Sequence, residues 1–119
     1  MSEACVFCDI VAGGPAHVFW VWPDAIAIVP LNPVVDGHLL VIPNAHVEDF
    51  KEDPIVSALA MARAAELAGH TGGAANLITS AGTEATQTIR HLHIHLVPRV
   101  SGDGLHLPWT GQIREDAHA

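Results

Sequence analysis

The stretch His91-Leu92-His93-Ile94-His95-Leu96-Val97-Pro98-Arg99 constrains this chain more than any other. Imidazole and aliphatic side chains alternate from His91 to Leu96, the period-two pattern of a strand with one face in a core. Successive side chains leave a strand on opposite faces, so His91, His93 and His95 are predicted to share one face. Leu92, Ile94 and Leu96 share the other and require a packed layer to bury them. Same-face residues start about 6.6 Å apart, twice the rise per residue. A single strand histidine is ordinary filling. Three on one face each need a partner once buried, and packing alone accounts poorly for the run.

Composition narrows the chemistry those imidazoles can serve. The 119 residues are half hydrophobic, enough for one core, so a single domain over 1–119 is expected, with an irregular Gly- and Pro-containing tail from about residue 101. Five basic residues against thirteen acids give a formal charge of −8 with histidines neutral. That balance argues against a nucleic-acid-binding or anionic-membrane surface. A small anion is still compatible, because imidazoles and single arginines make a pocket locally positive, and Arg90 and Arg99 flank the histidine run. No apolar run reaches membrane-spanning length and the N-terminus lacks a signal-peptide pattern, so a cytoplasmic location is the expectation. In a reducing compartment the pair Cys5-x-x-Cys8 favours metal or redox work over a structural disulfide.

Taken in order, residues 4–13 read as a short turn or helix closed by Gly13-Gly14-Pro15. Strand-like runs His17–Trp22 and Ala25–Val29, separated by Pro23-Asp24, predict a hairpin. A third strand is expected over His38–Ile42. Asp53-Pro54 supplies an N-cap acceptor followed by proline at the first helical position, so a long helix is predicted over 55–68, ending near Gly69 and Gly72-Gly73. Its apolar stripe is interrupted by Arg63, which leaves its core side undecided. Ala74–Thr79 reads as a fourth strand, and the polar loop 80–86 leads into the histidine strand. Strands with one long helix indicate an α+β fold with a mostly antiparallel sheet.

Two chemistries suit so many imidazoles. Histidines at i and i+2 on a strand can share a metal ion. Alternatively, one neutral imidazole can attack an electrophile such as phosphorus while its neighbours bind the phosphate. Gln87 and Thr88, just upstream, offer an amide donor and a hydroxyl for phosphate oxygens. No carboxylate lies on the strand, and Glu84, the nearest acid, sits in the loop, which weakens the redox-metal alternative.

The segment Gln87-Thr-Ile-Arg-His91-Leu-His93-Ile-His95-Leu-Val resembles the His-x-His-x-His motif of the histidine-triad (HIT) family. Gly37-His38-Leu-Leu-Val-Ile-Pro-Asn-Ala-His46 resembles that family's Gly-His-(apolar)₄-Pro-x-x-His segment, and Val6-Phe7-Cys8-Asp9-Ile10 fits its N-terminal layout. The resemblance extends to Arg99. It implies a five-stranded, mostly antiparallel sheet with one long and one short helix, and a homodimer with a ten-stranded sheet. It also implies hydrolysis or transfer at a nucleotide α-phosphate through a covalent nucleotidyl-histidine. Carried over, His93 is the nucleophile, its ring oriented by the carbonyl beside His91. His95 and His38 bind phosphate or assist the leaving group, and Gln87 and Thr88 complete the phosphate site. Val6, Phe7, Ile10, Ile28 and Leu31 match positions that enclose base and ribose, although each also reads as ordinary core.

This chain departs from the family pattern at three places. Pro30 stands where a ribose-binding Asp is usual, Ser80 where a loop Asn is usual, and Ala85-Thr86 where a glycine pair precedes Gln87. These positions touch ribose and phosphate contacts. Trp109 matches loosely a tryptophan that reaches the partner subunit's pocket in some relatives; a core anchor is the alternative.

Cys5 and Cys8 alone read either as two free thiols or as half of a metal site that two histidines would complete as tetrahedral Cys₂His₂. In a subset of the superfamily, including galactose-1-phosphate uridylyltransferases, zinc is completed by the histidine after the Ile-Pro strand and the first histidine of the triad. Those positions are His46 and His91 here, so the resemblance implies a structural zinc that leaves His93 free and is not required for chemistry. His17, His70, His106 and His118 have no motif context. The rival expectations are a zinc-stabilised nucleotide-binding module with little turnover, and a metal-dependent enzyme built on the three histidines.

Overall fold

The structure is a computed structural model that describes residues 5–110. Trp109 is three-quarters exposed, so it is no core anchor, and His118 lies outside the described residues. The short helix α1 (Val6–Val11) is followed by strands β1 (His17–Val21), β2 (Ala25–Val29) and β3 (Leu39–Pro43). The long helix α2 (Pro54–Thr71), β4 (Ala75–Ile78) and β5 (Ile94–Pro98) complete the order, with a single 3₁₀ turn at Thr83–Ala85. The five strands form one sheet in the order β1-β2-β3-β5-β4, and each neighbouring pair is antiparallel. Sequence reading located every strand to within a few residues.

Local chemistry explains the boundaries. The β1–β2 hairpin turns at Pro23-Asp24, where the Trp22 N–H donates to the Ala25 carbonyl at 2.9 Å. Asp53 caps α2 by accepting from the Ile55 and Val56 N–H groups at 2.9 and 3.3 Å, with Pro54 needing no such partner. The helix runs through Gly69 and stops at Gly72, whose φ of 72° is open to glycine at little cost.

The sheet has two covered faces. On one, α2 lays Ala60, Ala64 and Leu67 over Ala25, Ala27, Leu39, Val41, Leu92, Ile94 and Leu96. The small alanines allow close approach, and each fully buried leucine or isoleucine contributes roughly 1.5–3 kcal/mol. Arg63, which obscured the helix stripe, turns away from this core. Its guanidinium donates to both carboxylate oxygens of Asp24 at 2.9 and 3.2 Å, to Glu66 at 3.0 Å, and lies over the Trp22 ring. The other face carries Phe7 and Ile10 of α1 against Ile26, Ile28, Leu40 and Ile42. The triad faces this second layer.

One expectation about the histidine run needs correction. The alternation holds, with Leu92, Ile94 and Leu96 all in the helix-side core, but the paired strand begins only at Ile94. His91, Leu92 and His93 are bonded outside the ladder. The Leu92 N–H donates to the Val47 carbonyl at 2.8 Å, and the His93 carbonyl accepts from Thr79 Oγ1 at 2.8 Å. Released from the ladder, this segment can place its side chains at two separate sites.

Candidate active site

At the first site, α1 and the start of the triad converge. Cys5, Cys8, His46 and His91 each bring one ligand atom, and the four atoms lie within 4.8 Å of one another. Cys5 Sγ is 3.5 Å from His91 Nδ1, Cys8 Sγ is 3.2 Å from His46 Nδ1, and the two Nδ1 atoms are 3.1 Å apart. Tetrahedral zinc with bonds of about 2.0–2.3 Å separates its ligand atoms by about 3.3–3.8 Å, so the spacing suits such an ion. His91 is fully buried, and its Nε2–H donates to the Pro43 carbonyl at 2.8 Å. That bond leaves the Nδ1 lone pair facing the sulfurs, the outer-sphere arrangement expected of a metal-ligating imidazole. The donor set fits zinc.

His93 follows two residues on and makes a different use of its nitrogens. Its Nδ1–H donates to the His91 carbonyl at 2.8 Å, which leaves the Nε2 lone pair free. Phe7 packs its ring edgewise against His93 at 5.0 Å and against His91 at 6.0 Å. Burial holds His93 below the ordinary histidine range, opposed by the bond to the His91 carbonyl. The ring is therefore neutral near pH 7, with a lone pair on a fixed atom. That is what an attacking imidazole requires.

The third element pairs His38 with His95. The Val34 N–H donates to His38 Nδ1 at 3.1 Å, so neutral His38 carries its proton on Nε2. His38 Nε2 then meets His95 Nδ1 at 2.9 Å, and neutral His95 carries its own proton on Nε2. Burial lowers the pKa of both rings, and that of His95 falls to about 4, helped by the nearby His93 and His38. The chain Val34–His38–His95 thus fixes one tautomer and leaves an N–H donor on His95 Nε2, on a ring whose centroid is 5.2 Å from that of His93. Such a donor suits a phosphate oxygen or a departing group.

The remaining sequence candidates divide. Phe7, Ile10 and Ile28 form the buried wall beside the histidines, whereas Leu31 is 98% exposed and Val6 about half exposed. Leu31 and Val6 therefore do not join that wall: Leu31 lies beyond the end of β2 and Val6 points outward from α1. Ser80 lines a cavity with His38 and His95. Thr88 is exposed. Gln87 is the main correction. It is buried, its amide donates to the Glu48 and Ile89 carbonyls at 2.6 and 3.0 Å, and its oxygen accepts from the Gly82 N–H at 2.9 Å and from Arg90 at 3.2 Å. With both ends engaged, Gln87 braces loop 80–86 and does not itself face the cavity. Thr86 in that loop has a left-handed φ of 71°, so the backbone at the family's glycine position keeps a glycine-like conformation despite its β-branched residue.

The sequence reading missed the far wall of the cavity. Beyond Ser80 and His95, the space of about 280 Å³ is bounded by Val34, Asn76, Arg99 and the segment Leu105–Leu107. Arg99 closes the motif Val-Pro-Arg, and its position directly after β5 was the available signal.

A family model described as the HIT domain matches residues 12–102. This chain belongs to the HIT family. An uncharacterised HIT-like protein of Methanocaldococcus jannaschii is 33% identical over 108 residues, covering 84% of this chain and 82% of the relative. An adenylylsulfatase of Arabidopsis thaliana is 34% identical over 88% of this chain, although this chain covers only 57% of that protein. An adenosine 5′-monophosphoramidase of Saccharomyces cerevisiae is 28% identical, with 94% of this chain and 73% of the relative covered. Among solved structures, a HIT family hydrolase from Clostridium thermocellum aligns with a TM-score of 0.74 at 32% identity, covering 86% of this chain and 96% of that one. A zinc-bound histidine-triad protein from Mycobacterium smegmatis aligns with a TM-score of 0.72 at 36% identity, covering 87% and 80%. The HIT match begins after Cys5 and Cys8, which lie outside the matched segment. No helix among the described residues is long and apolar enough to cross a membrane.

Proposed function

We propose that this protein is a nucleotide hydrolase or nucleotidyl transferase that works through a covalent nucleotidyl-His93. The single observation that carries this reading is the His93 Nδ1 bond to the His91 carbonyl, which leaves Nε2 as an unprotonated lone pair. Nε2 attacks the α-phosphorus of a nucleoside phosphoramidate, dinucleoside polyphosphate or related nucleotide. The P–Nε2 bond forms as the bond to the leaving group breaks; the leaving group takes the electron pair and is protonated as it departs. His95 Nε2–H, held by His38, stabilises the charge on the phosphate oxygens. Water then attacks the same phosphorus, the P–Nε2 bond breaks, and a nucleoside monophosphate is released while Nε2 regains its lone pair. In transfer, another nucleophile takes the place of water. The adenylylsulfatase and phosphoramidase relatives both bear names consistent with a nucleotide substrate of this kind.

Cys5, Cys8, His46 and His91 would hold a structural zinc, as the zinc-bound relative suggests. All four donors are protein atoms, which gives the ion the closed coordination of a structural site. We further propose a homodimer. β4 is a sheet edge without a partner among the described residues, and beside it an apolar groove of about 340 Å³ is lined by Phe50, Ala58, Met61 and Leu92. An open edge next to apolar surface favours pairing with a second copy.

The test is His93→Ala. Turnover of adenosine 5′-phosphoramidate should fall by at least about a thousandfold, with the circular dichroism spectrum and zinc content unchanged. Turnover within tenfold of the parent overturns the reading. A nucleotide-binding module with little turnover is the second reading, favoured by the inward engagement of Gln87. Tight nucleotide binding with no product from the parent protein would select it.

A further inference from the structure

The wall of the cavity opposite loop 80–86 is held by one side chain. Arg99 Nε and one terminal nitrogen donate to the two carboxylate oxygens of Asp103 at 2.7 and 2.9 Å. The same nitrogen reaches the Leu105 carbonyl at 2.9 Å, and the other terminal nitrogen donates to Asn76 Oδ1 on β4 at 2.8 Å. Asp103 in turn accepts from the Val100 and Leu105 N–H groups at 3.2 and 3.0 Å. Segment 100–107 is therefore folded around one guanidinium, and that guanidinium ties it to the sheet. Leu105, His106 and Leu107 of this strap face His38 and His95 across the cavity.

The cavity measures about 280 Å³. Pockets for drug-sized ligands start at about 300 Å³, so this cavity lies at the small end of the range, and the strap bounds the room left for whatever a phosphoryl group beside His95 carries. Phe7, Ile10 and Ile28 wall the opposite, apolar side of the histidines, and none of the three lines this cavity.

We propose that Arg99 is a specificity-determining positioning residue: by latching the strap to β4 it sets the outer wall of the cavity beside His95 and restricts the α-phosphate substituent to compact groups. The proposal rests on the proposed assignment of His95 to the phosphate. Bidentate pairing is what makes arginine suited to the latch. A lysine at the same place keeps the charge but loses the fork that grips Asp103 and Asn76 together.

The test measures equilibrium binding of two slowly reacting probes, the methyl and benzyl esters of AMP, by calorimetry, so it does not depend on turnover. The parent protein should bind the methyl ester at least about tenfold tighter than the benzyl ester. In Arg99→Ala that preference should shrink by at least about tenfold, through tighter benzyl-ester binding with methyl-ester binding held within threefold. Arg99→Lys should fall between, and Asp103→Asn serves as a second variant should Arg99→Ala fail to fold. In kinetics with matching phosphoramidates, the variants should change KM for the bulky substrate and leave kcat for the compact one. An unchanged ester preference, or a parallel loss for both esters, overturns the proposal. A parent protein that binds the esters with this pattern but turns nothing over would overturn the catalytic reading and leave the latch intact.

Discussion

The described residues contain two close histidine pairs built in opposite ways. His46 and His91 bring Nδ1 to Nδ1 at 3.1 Å with two sulfurs beside them, and His91 has its other nitrogen occupied by the Pro43 carbonyl. Two imidazole nitrogens and two sulfurs gathered like this form a donor set suited to a cation. His38 and His95 meet Nε2 to Nδ1 at 2.9 Å, donor to acceptor, and the Val34 N–H fixes which is which. This pair needs no ion and ends on the N–H of His95 Nε2. His93 stands between, its ring set by the carbonyl of a residue from the first pair and its centroid 5.2 Å from that of His95 in the second. On the proposed reading the same residue type on alternating positions serves metal binding, attack and phosphate binding, and backbone groups, two carbonyls and the Val34 N–H, decide which.

The largest effects should separate the pairs. His46→Ala should abolish stoichiometric zinc and lower stability by on the order of 3 kcal/mol, read by metal analysis and thermal denaturation. His38→Ala should leave zinc intact and reduce kcat by about a hundredfold, since His95 loses the bond that fixes its tautomer. If the two variants give the same profile of metal content and rate, the division of labour fails.

The second pair should contribute to the pH response. His95 has a pKa of about 4 in the fold against an ordinary 6.5, lowered first by burial and then by the charges of His93 and His38. Above pH 6.5 both folded and unfolded chains are neutral at this ring. Between 6.5 and 4 the unfolded chain takes up a proton that the folded chain does not, so this ring makes stability fall as pH falls through that window. Replacing His95 with Gln should flatten that part of the denaturation midpoint against pH. A steeper slope in the variant would contradict the assignment. The smallest effect is at Thr86, whose left-handed backbone predicts that Thr86→Gly raises stability by about 1 kcal/mol in a denaturant titration.

Much of this was readable before the structure. The alternation of His and aliphatic residues gave the faces correctly, because the core side of a strand tolerates little else. The Asp53-Pro54 cap and the Pro23-Asp24 turn were read from local chemistry that tertiary contacts did not override. Sequence could not orient α2, since its alanines pack as readily as they face water and Arg63 found its partner in Asp24, thirty-nine positions away. Gln87 shows a different limit. An amide beside a catalytic motif looks like a ligand donor, and only the positions of the Glu48 and Ile89 carbonyls reveal that its donors are engaged. Leu31 and Ile28 were alike as apolar letters. Ile28 is in the sheet and Leu31 is past its end. Arg99 became meaningful only when Asp103, Asn76 and Leu105 were seen around it.

The most direct test of the account is to quench the reaction of the parent protein with adenosine 5′-phosphoramidate within its first turnover and locate any adduct by peptide mass spectrometry. An adenylyl group on the peptide carrying His93, acid-labile and absent in His93→Ala, is the predicted result. Rapid product formation with no adduct, or an adduct on His91 or His95, would contradict the assignment of His93 as the attacking residue.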